Sequence, residues 1–146
     1  MDEGPEIPLM NATDEEIKAI LSSAKVIAVV GLSDSPDRAS YNVASYLKRH
    51  GYRILPVNPN AKEILGEKAY PDLRSVPEKV DVVDIFRKVD AVSGIVDEAI
   101  SIGAKVVWMQ EGIVHNASAD KARSKGLRVV MGKCMMKEHR ATFIAK

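Results

Sequence analysis

Short apolar runs alternate with segments of helical period along this chain. Thr13-Asp14-Glu15-Glu16 carries the capping-box signature, and Ile17, Ile20, Leu21 and Ala24 follow at the i, i+3, i+4, i+7 spacing of an amphipathic helix. Val26–Val30 is continuously apolar, the mark of a strand buried on both faces. A polar loop from Gly31 to Arg38 leads into a second helical segment, Ala39 to His50, with Val43, Tyr46 and Leu47 on one face and Gly51 as its stop. Arg53–Val57 reads as the second strand, ended by Asn58-Pro59-Asn60. Gly66, Pro71 and Pro77 break any long element in the segment that follows. Val80–Phe86 is the third strand, and Asp90 is placed to cap a helix that buries Val92, Ile95, Val96, Ala99 and Ile100 before stopping at Gly103. Lys105–Met109 gives a fourth strand, Asn116 the cap of a helix running to Lys125, and Leu127–Met131 a fifth strand. Residues 1–12 read as an irregular lead-in and residues 135–146 as a basic tail.

Five buried strands with crossover helices predict an α/β fold: a Rossmann-like, doubly wound parallel sheet with helices on both faces, one domain over residues 1–146. The expected strand order is 3-2-1-4-5, with the switch point between strands 1 and 4. In such sheets ligands sit outside the carboxyl ends of the strands. That rule nominates Gly31–Arg38, Asn58–Lys62, Phe86–Lys88, Gln110–Val114 and Gly132–Cys134.

Composition narrows the partners. The 146 residues suit one domain, and 46% hydrophobic with 28% charged residues argues against disorder. A net charge of +1 lacks the basic excess of a duplex-binding domain, so no nucleic-acid partner is expected. A lone cysteine, Cys134, excludes an intrachain disulfide and a multi-cysteine zinc cage, and fits a reducing cytoplasm. The acidic, proline-bearing start is not that of a signal peptide, and no apolar run is long enough to span a bilayer, so a cytoplasmic location without a membrane partner is expected.

The loop after the first strand carries the most chemistry. A glycine at a strand end lets the backbone approach a ligand closely. Successive N–H groups and the following helix N-terminus favour a phosphate, Arg38 can add a bidentate contact, and Ser33 and Ser40 can each donate a hydroxyl. Alone, each feature has a plainer reading: Ser35 or Ser40 as a helix cap, Arg38 as a solvated charge. Together at one strand end they point to an anion. The dinucleotide fingerprint G-x-G-x-x-G is incomplete, with Ser33 and Pro36 in place of the second and third glycines, and the second strand ends in Asn58 rather than an acid. A standard NAD site and a P-loop are therefore not expected.

The motifs Gly31-x-Ser33-x-x-Pro36-x-Arg38-x-Ser40, Val57-Asn58-Pro59, Val80–Arg87 and Ala104–Gly112 resemble those of the small stand-alone CoA-binding domain proteins, relatives of the CoA-binding domain of the succinyl-CoA synthetase α subunit. The resemblance runs from about Ile17 to Cys134. It implies a cleft for coenzyme A at the carboxyl edge of the sheet, with Gly31, Leu32 and Ser33 against the phosphates and Arg38 and Ser40 binding phosphate groups. By the same resemblance Asn58 and Pro59 border the adenosine, Phe86 and Arg87 line the cleft, and Gln110 and Gly112 form its wall. Glu111 and the residues flanking Cys134 depart from the family pattern.

Phosphate-binding features without a recognisable catalytic constellation favour a CoA carrier, sensor or redox-linked binding protein over an enzyme, with an NAD(P)-linked oxidoreductase or a CoA-transferring subunit as the alternatives. No histidine pair has metal-ligand spacing, and no Ser-His-Asp arrangement emerges from His50, His115 and His139. Asp84 in an apolar run reads as a hydrogen-bonded structural carboxylate. Cys134 has two readings: an inert, half-buried thiol, or a redox anchor that forms a mixed disulfide with CoA, with Lys133 stabilising the thiolate. A homodimer or a protein partner is left open.

Overall fold

The structure, a computed structural model, describes residues 5–144. Helix α1 (Asp14–Ser23) starts with the reciprocal cap its sequence carries: the Thr13 hydroxyl accepts the Glu16 N–H at 3.1 Å and the Glu16 carboxylate accepts the Thr13 N–H at 2.9 Å. Strand β1 (Val26–Val30), helix α2 (Ala39–Arg49) and strand β2 (Arg53–Val57) follow. The segment broken by glycine and prolines holds a small hairpin, β3 (Glu63–Ile64) and β4 (Glu67–Lys68), and a 3-10 turn at Leu73–Ser75. Strand β5 (Val82–Ile85), helix α3 (Val92–Ser101), strand β6 (Val106–Met109), helix α4 (Asn116–Ser124), strand β7 (Arg128–Val130) and helix α5 (Met135–Phe143) complete the chain.

The main sheet is parallel, as the continuous apolar strands predict, with its five strands in the order β2-β1-β5-β6-β7. This corrects the expected order. The first strand lies between the second and third, so the switch point falls between β1 and β5. The physical reason is Pro56, which cannot donate to a ladder and so suits an edge strand. It sits in β2 opposite Val29, and β2 pairs within the sheet only with β1. Order 3-2-1-4-5 would have put that proline in an interior strand. Asp81 then fixes β5 beside β1: its Oδ2 accepts the N–H groups of Lys25 and Val26, both at 2.9 Å.

Each face of the sheet is covered. Ile17 and Ile20 of α1, Leu47 of α2 and Met135 of α5 pack with Ile27, Val29 and Trp108 on one side. Val96 and Ala99 of α3 and Ala119 and Ala122 of α4 pack with Ala28, Val83 and Val107 on the other. Trp108 is fully buried and donates its ring N–H to the Lys133 carbonyl at 2.8 Å.

Three local expectations are corrected. Asp90 does not cap α3; it lies in a 3-10 turn, Val89–Ala91, and Ala91 takes the cap position. Asn116 does not cap α4; His115 does, its Nδ1 accepting the Ser118 N–H at 3.2 Å. Asn116 instead holds the irregular lead-in, accepting the Leu9 N–H at 2.9 Å and donating to the Ile7 carbonyl at 2.8 Å. The basic tail contains α5, whose Met135 and His139 are buried. Among the described residues no helix is long and apolar enough to cross a membrane.

Candidate functional site

All five nominated loops follow the carboxyl ends of β1, β2, β5, β6 and β7. The loop after β1 is braced by its own side chains. Gly31 has φ +88°, and a Cβ there would lie 2.3 Å from the Phe86 carbonyl oxygen. Only glycine lets this loop pass so close to the turn after β5. The Ser40 hydroxyl accepts the Ser33 N–H at 2.9 Å, the Ser33 hydroxyl accepts the Ser35 N–H at 3.0 Å, and the Ser35 hydroxyl donates to Asp37. Asn58 donates to the Leu32 carbonyl at 2.9 Å and accepts the Asn60 N–H at 2.8 Å.

Ser35 and Ser40 are therefore spent inside the loop rather than capping α2. The N-cap of α2 is Arg38, which makes no side-chain cap bond, and the first turn holds no acid. Asp37 stands immediately before the cap, where the Ser35 hydroxyl donates to it; past it, the N–H groups that open the helix have no side-chain cap and suit an anion.

Beside that helix start lies a cleft of about 410 Å³. Ala39 and Val43 of α2 form one wall. Phe86, Arg87 and Lys88 after β5, Gln110, Glu111 and Ile113 after β6, and Cys134 form the rest. Arg87 also borders a smaller cavity of about 110 Å³ that Pro59 helps to line. The cleft floor is polar. Gln110 is 3% exposed and donates its amide Nε2–H to Asp84 Oδ1 at 2.8 Å. Asp84 is fully buried, and its Oδ2 has no hydrogen-bond partner. Burial pushes the Asp84 carboxyl up to about 7, against the opposing pull of the Gln110 hydrogen bond.

Cys134 is 5% exposed, and burial pushes its thiol up. The backbone N–H groups of Lys137 and Met136 pull it down, while the charges of Glu111 and Asp84 push it up further. The net direction is upward, so the sulfur stays a thiol at neutral pH. Glu111 is held outward by Lys137 of α5, whose Nζ lies 3.1 Å from both carboxylate oxygens.

A family model described as a CoA binding domain matches residues 25–140. The chain belongs to the CoA-binding domain family. It is 39% identical over 134 residues to the uncharacterized protein YneT of Bacillus subtilis, covering 92% of this chain and 99% of YneT. A hypothetical protein from Pyrococcus horikoshii OT3 has the same fold with a TM-score of 0.88 and 42% identity, covering 97% of this chain and 98% of that one. The α subunit of an ADP-forming acetate–CoA ligase II from Pyrococcus furiosus is 31% identical over 81% of this chain, which spans only 29% of that subunit.

In this CoA-binding domain protein the residues nominated from sequence fall into three groups. Phe86, Arg87, Gln110 and Cys134 line the cleft. Gly31, Ser33, Ser40 and Asn58 brace the loop beside it, and Leu32 is anchored in the core at 0% exposure, so only its backbone faces the loop. Arg38 is exposed at the head of α2, Pro59 borders the smaller cavity, and Gly112 shapes a turn. That turn has φ +81° at Gly112 and an Ile113 N–H to Gln110 carbonyl bond of 2.9 Å. Lys88 and Ile113 lie within the nominated loops; sequence reading missed Ala39 and Val43 as lining, and it left Asp84 unpaired with Gln110. The signal for that pair was an acid inside an apolar strand.

A larger cavity, about 620 Å³, opens at the amino ends of β5, β6 and β7, with Lys105, Lys125 and Arg128 on its rim. Its walls include the last residues of α1 and α3 and the cap of α4. Helix C-termini carry the negative end of the dipole and disfavour a phosphate, so size alone does not move the candidate site there.

Proposed function

We propose that this chain binds coenzyme A, free or as a thioester, at the carboxyl edge of the sheet, as a non-catalytic carrier or sensor. The observation that carries the reading is the bare start of α2, with Arg38 at its cap position, opening beside a cleft of about 410 Å³. Coenzyme A presents a pyrophosphate and a 3′-phosphate to be held by donors and cations. Arg87 and Lys88 supply cations at the cleft, Arg38 stands exposed at the head of α2, and α2 supplies the N–H groups. Ala39, Val43, Phe86 and Ile113 offer an apolar surface to the pantetheine arm. The family match and the ligase relative support the same ligand class.

A nicotinamide dinucleotide suits the site less. The Asn58 side chain is spent on Leu32 and Asn60, where a dinucleotide fold places an acid for the ribose. The histidines have other work: His50 follows α2, His115 caps α4, and His139 packs between α5 and α2. This favours a binding protein over an enzyme, and the lone cysteine favours a reducing cytoplasm. Binding is reversible in this reading, because a thiolate is what attacks a disulfide and Cys134 is held as a thiol. Calorimetric titration with coenzyme A, dephospho-coenzyme A and NAD tests it. The expected order is coenzyme A tightest, with dephospho-coenzyme A weaker for want of one phosphate. NAD binding as tightly as coenzyme A would put the oxidoreductase reading first.

A further inference from the structure

The buried carboxyl of Asp84 is the one fully buried side-chain oxygen without a partner among the described residues. It does not face solvent and does not reach the cleft, yet its other oxygen holds the amide that forms the cleft floor. Gln110 carries a donor end and an acceptor end on one rotatable group. An ionised carboxyl only accepts, so it takes the Nε2–H, as observed, and leaves Oε1 turned away from it. That Oε1 takes no hydrogen bond from the described residues, yet it is not among the fully buried unpaired atoms, so it keeps access to the cleft that Gln110 lines. A protonated carboxyl gains an O–H, which can donate to Oε1 and turn Nε2 toward the cleft.

We propose that Asp84 is a positioning residue whose protonation decides which end of the Gln110 amide the cleft presents, an acceptor when Asp84 is ionised and a donor when it is protonated. The inference rests on the cleft being the ligand site proposed above.

The surroundings favour such a device. Asp84 lies between Val29 of β1 and Trp108 of β6, neither of which titrates. From the start of α5 the group coupled to it is the Cys134 thiol, itself held protonated, and α2 presents Ala39 and Val43 to the cleft. Arg87, Lys88 and Glu111 stand at the cleft mouth, and Glu111 is engaged by Lys137. Burial pushes the Asp84 carboxyl up, and the Gln110 bond opposes it. Its titration near neutral pH therefore falls where a small change in proton concentration acts on the amide.

The test follows the Gln110 side-chain amide by nitrogen-15 NMR on the full chain without ligand, from pH 5.5 to 8.5. The expected result is one titration with its midpoint near neutrality, abolished in Asp84→Asn, whose amide can satisfy Gln110 at every pH. A Gln110 amide that does not move in the wild type, or moves equally in Asp84→Asn, overturns the inference. If Asp84→Asn does not fold, the carbon-13 carboxyl signal of Asp84 is titrated in the wild type beside the Gln110 amide. The two midpoints should coincide, and a carboxyl that titrates with no matching change in the amide overturns the inference. Coenzyme A affinity is then measured at pH 6 and pH 8 in the wild type and Asp84→Asn. The phosphate titrations of the ligand cancel in that comparison, and the two affinity ratios should differ by about fivefold, the worth of one neutral hydrogen bond. Equal ratios overturn the inference. Absence of coenzyme A binding with the amide titration intact overturns the functional reading and not the switch.

Discussion

At the scale of single residues, three positions carry distinct consequences. Arg38 stands at the cap position of α2 without a cap bond, so its guanidinium is available for a phosphate. Arg38→Ala should weaken coenzyme A about tenfold to a hundredfold, the worth of one charge-assisted hydrogen bond, while leaving the melting temperature close to that of the wild type. Unchanged affinity would remove Arg38 from the site. Gly31→Ala should fail differently. It puts a side chain at φ +88° and 2.3 Å from the Phe86 carbonyl oxygen, so thermal unfolding should show a stability loss of at least about 1–2 kcal/mol from the backbone conformation alone. Asp84 acts through pH. Its folded pKa, about 7, lies above the ordinary 3.8, so the folded chain holds a proton that the unfolded chain releases. Its contribution is fully present below the ordinary value and is lost as pH rises through about 7, by an upper bound of roughly 4 kcal/mol. Asp84→Asn should therefore gain on the wild type in melting temperature as pH rises from 5 to 8. A variant equally destabilised at both would contradict the burial argument. The motif residues were legible in the sequence because glycine, serine and arginine at a strand end have few other uses together. The Asp84–Gln110 bond was not, because it joins residues 26 apart through a strand pairing that only the sheet order supplies.

At the scale of elements, α5 was the largest surprise. Met135, His139 and Phe143 recur every fourth residue, but charged residues surround them, and the apolar stripe is too thin to announce a helix. Tertiary contact makes it one. Met135 is fully buried against the α1–α2 side of the sheet, and the Tyr46 hydroxyl meets His139 Nδ1 at 2.8 Å. Met135→Ala should cost about 2–5 kcal/mol in denaturant unfolding, as large-to-small changes in a packed core do. A loss near zero would mean that α5 is only loosely docked. His139 adds a pH dependence of the opposite sign to that of Asp84. Burial first, and His50 second, hold its pKa below the ordinary 6.5. The stability it contributes is present above that value and lost as pH falls below it. Amide protection factors in α5, corrected for the intrinsic pH dependence of exchange, should fall below pH 6, and unchanged protection there would exclude His139 from holding the helix. The other elements were legible because buried parallel strands and amphipathic helices repeat with different periods. The sheet order needed one more signal, Pro56, which marks β2 as an edge strand.

At the scale of the molecule, the parallel sheet gathers the carboxyl ends of five strands at one edge, and there the loops place cations, a bare helix start and a cleft within reach of one another. The opposite edge offers more volume but faces helix C-termini. The central claim is that the first of these edges holds coenzyme A reversibly. Native mass spectrometry of the full chain, without reductant and with coenzyme A added, tests it most directly. The account predicts one coenzyme A per chain, lost on denaturation and weakened in Arg38→Ala. A chain that takes up NAD and not coenzyme A would contradict the claim. An adduct that survives denaturation and is removed by a thiol reductant would contradict its reversible form and make Cys134 the anchor.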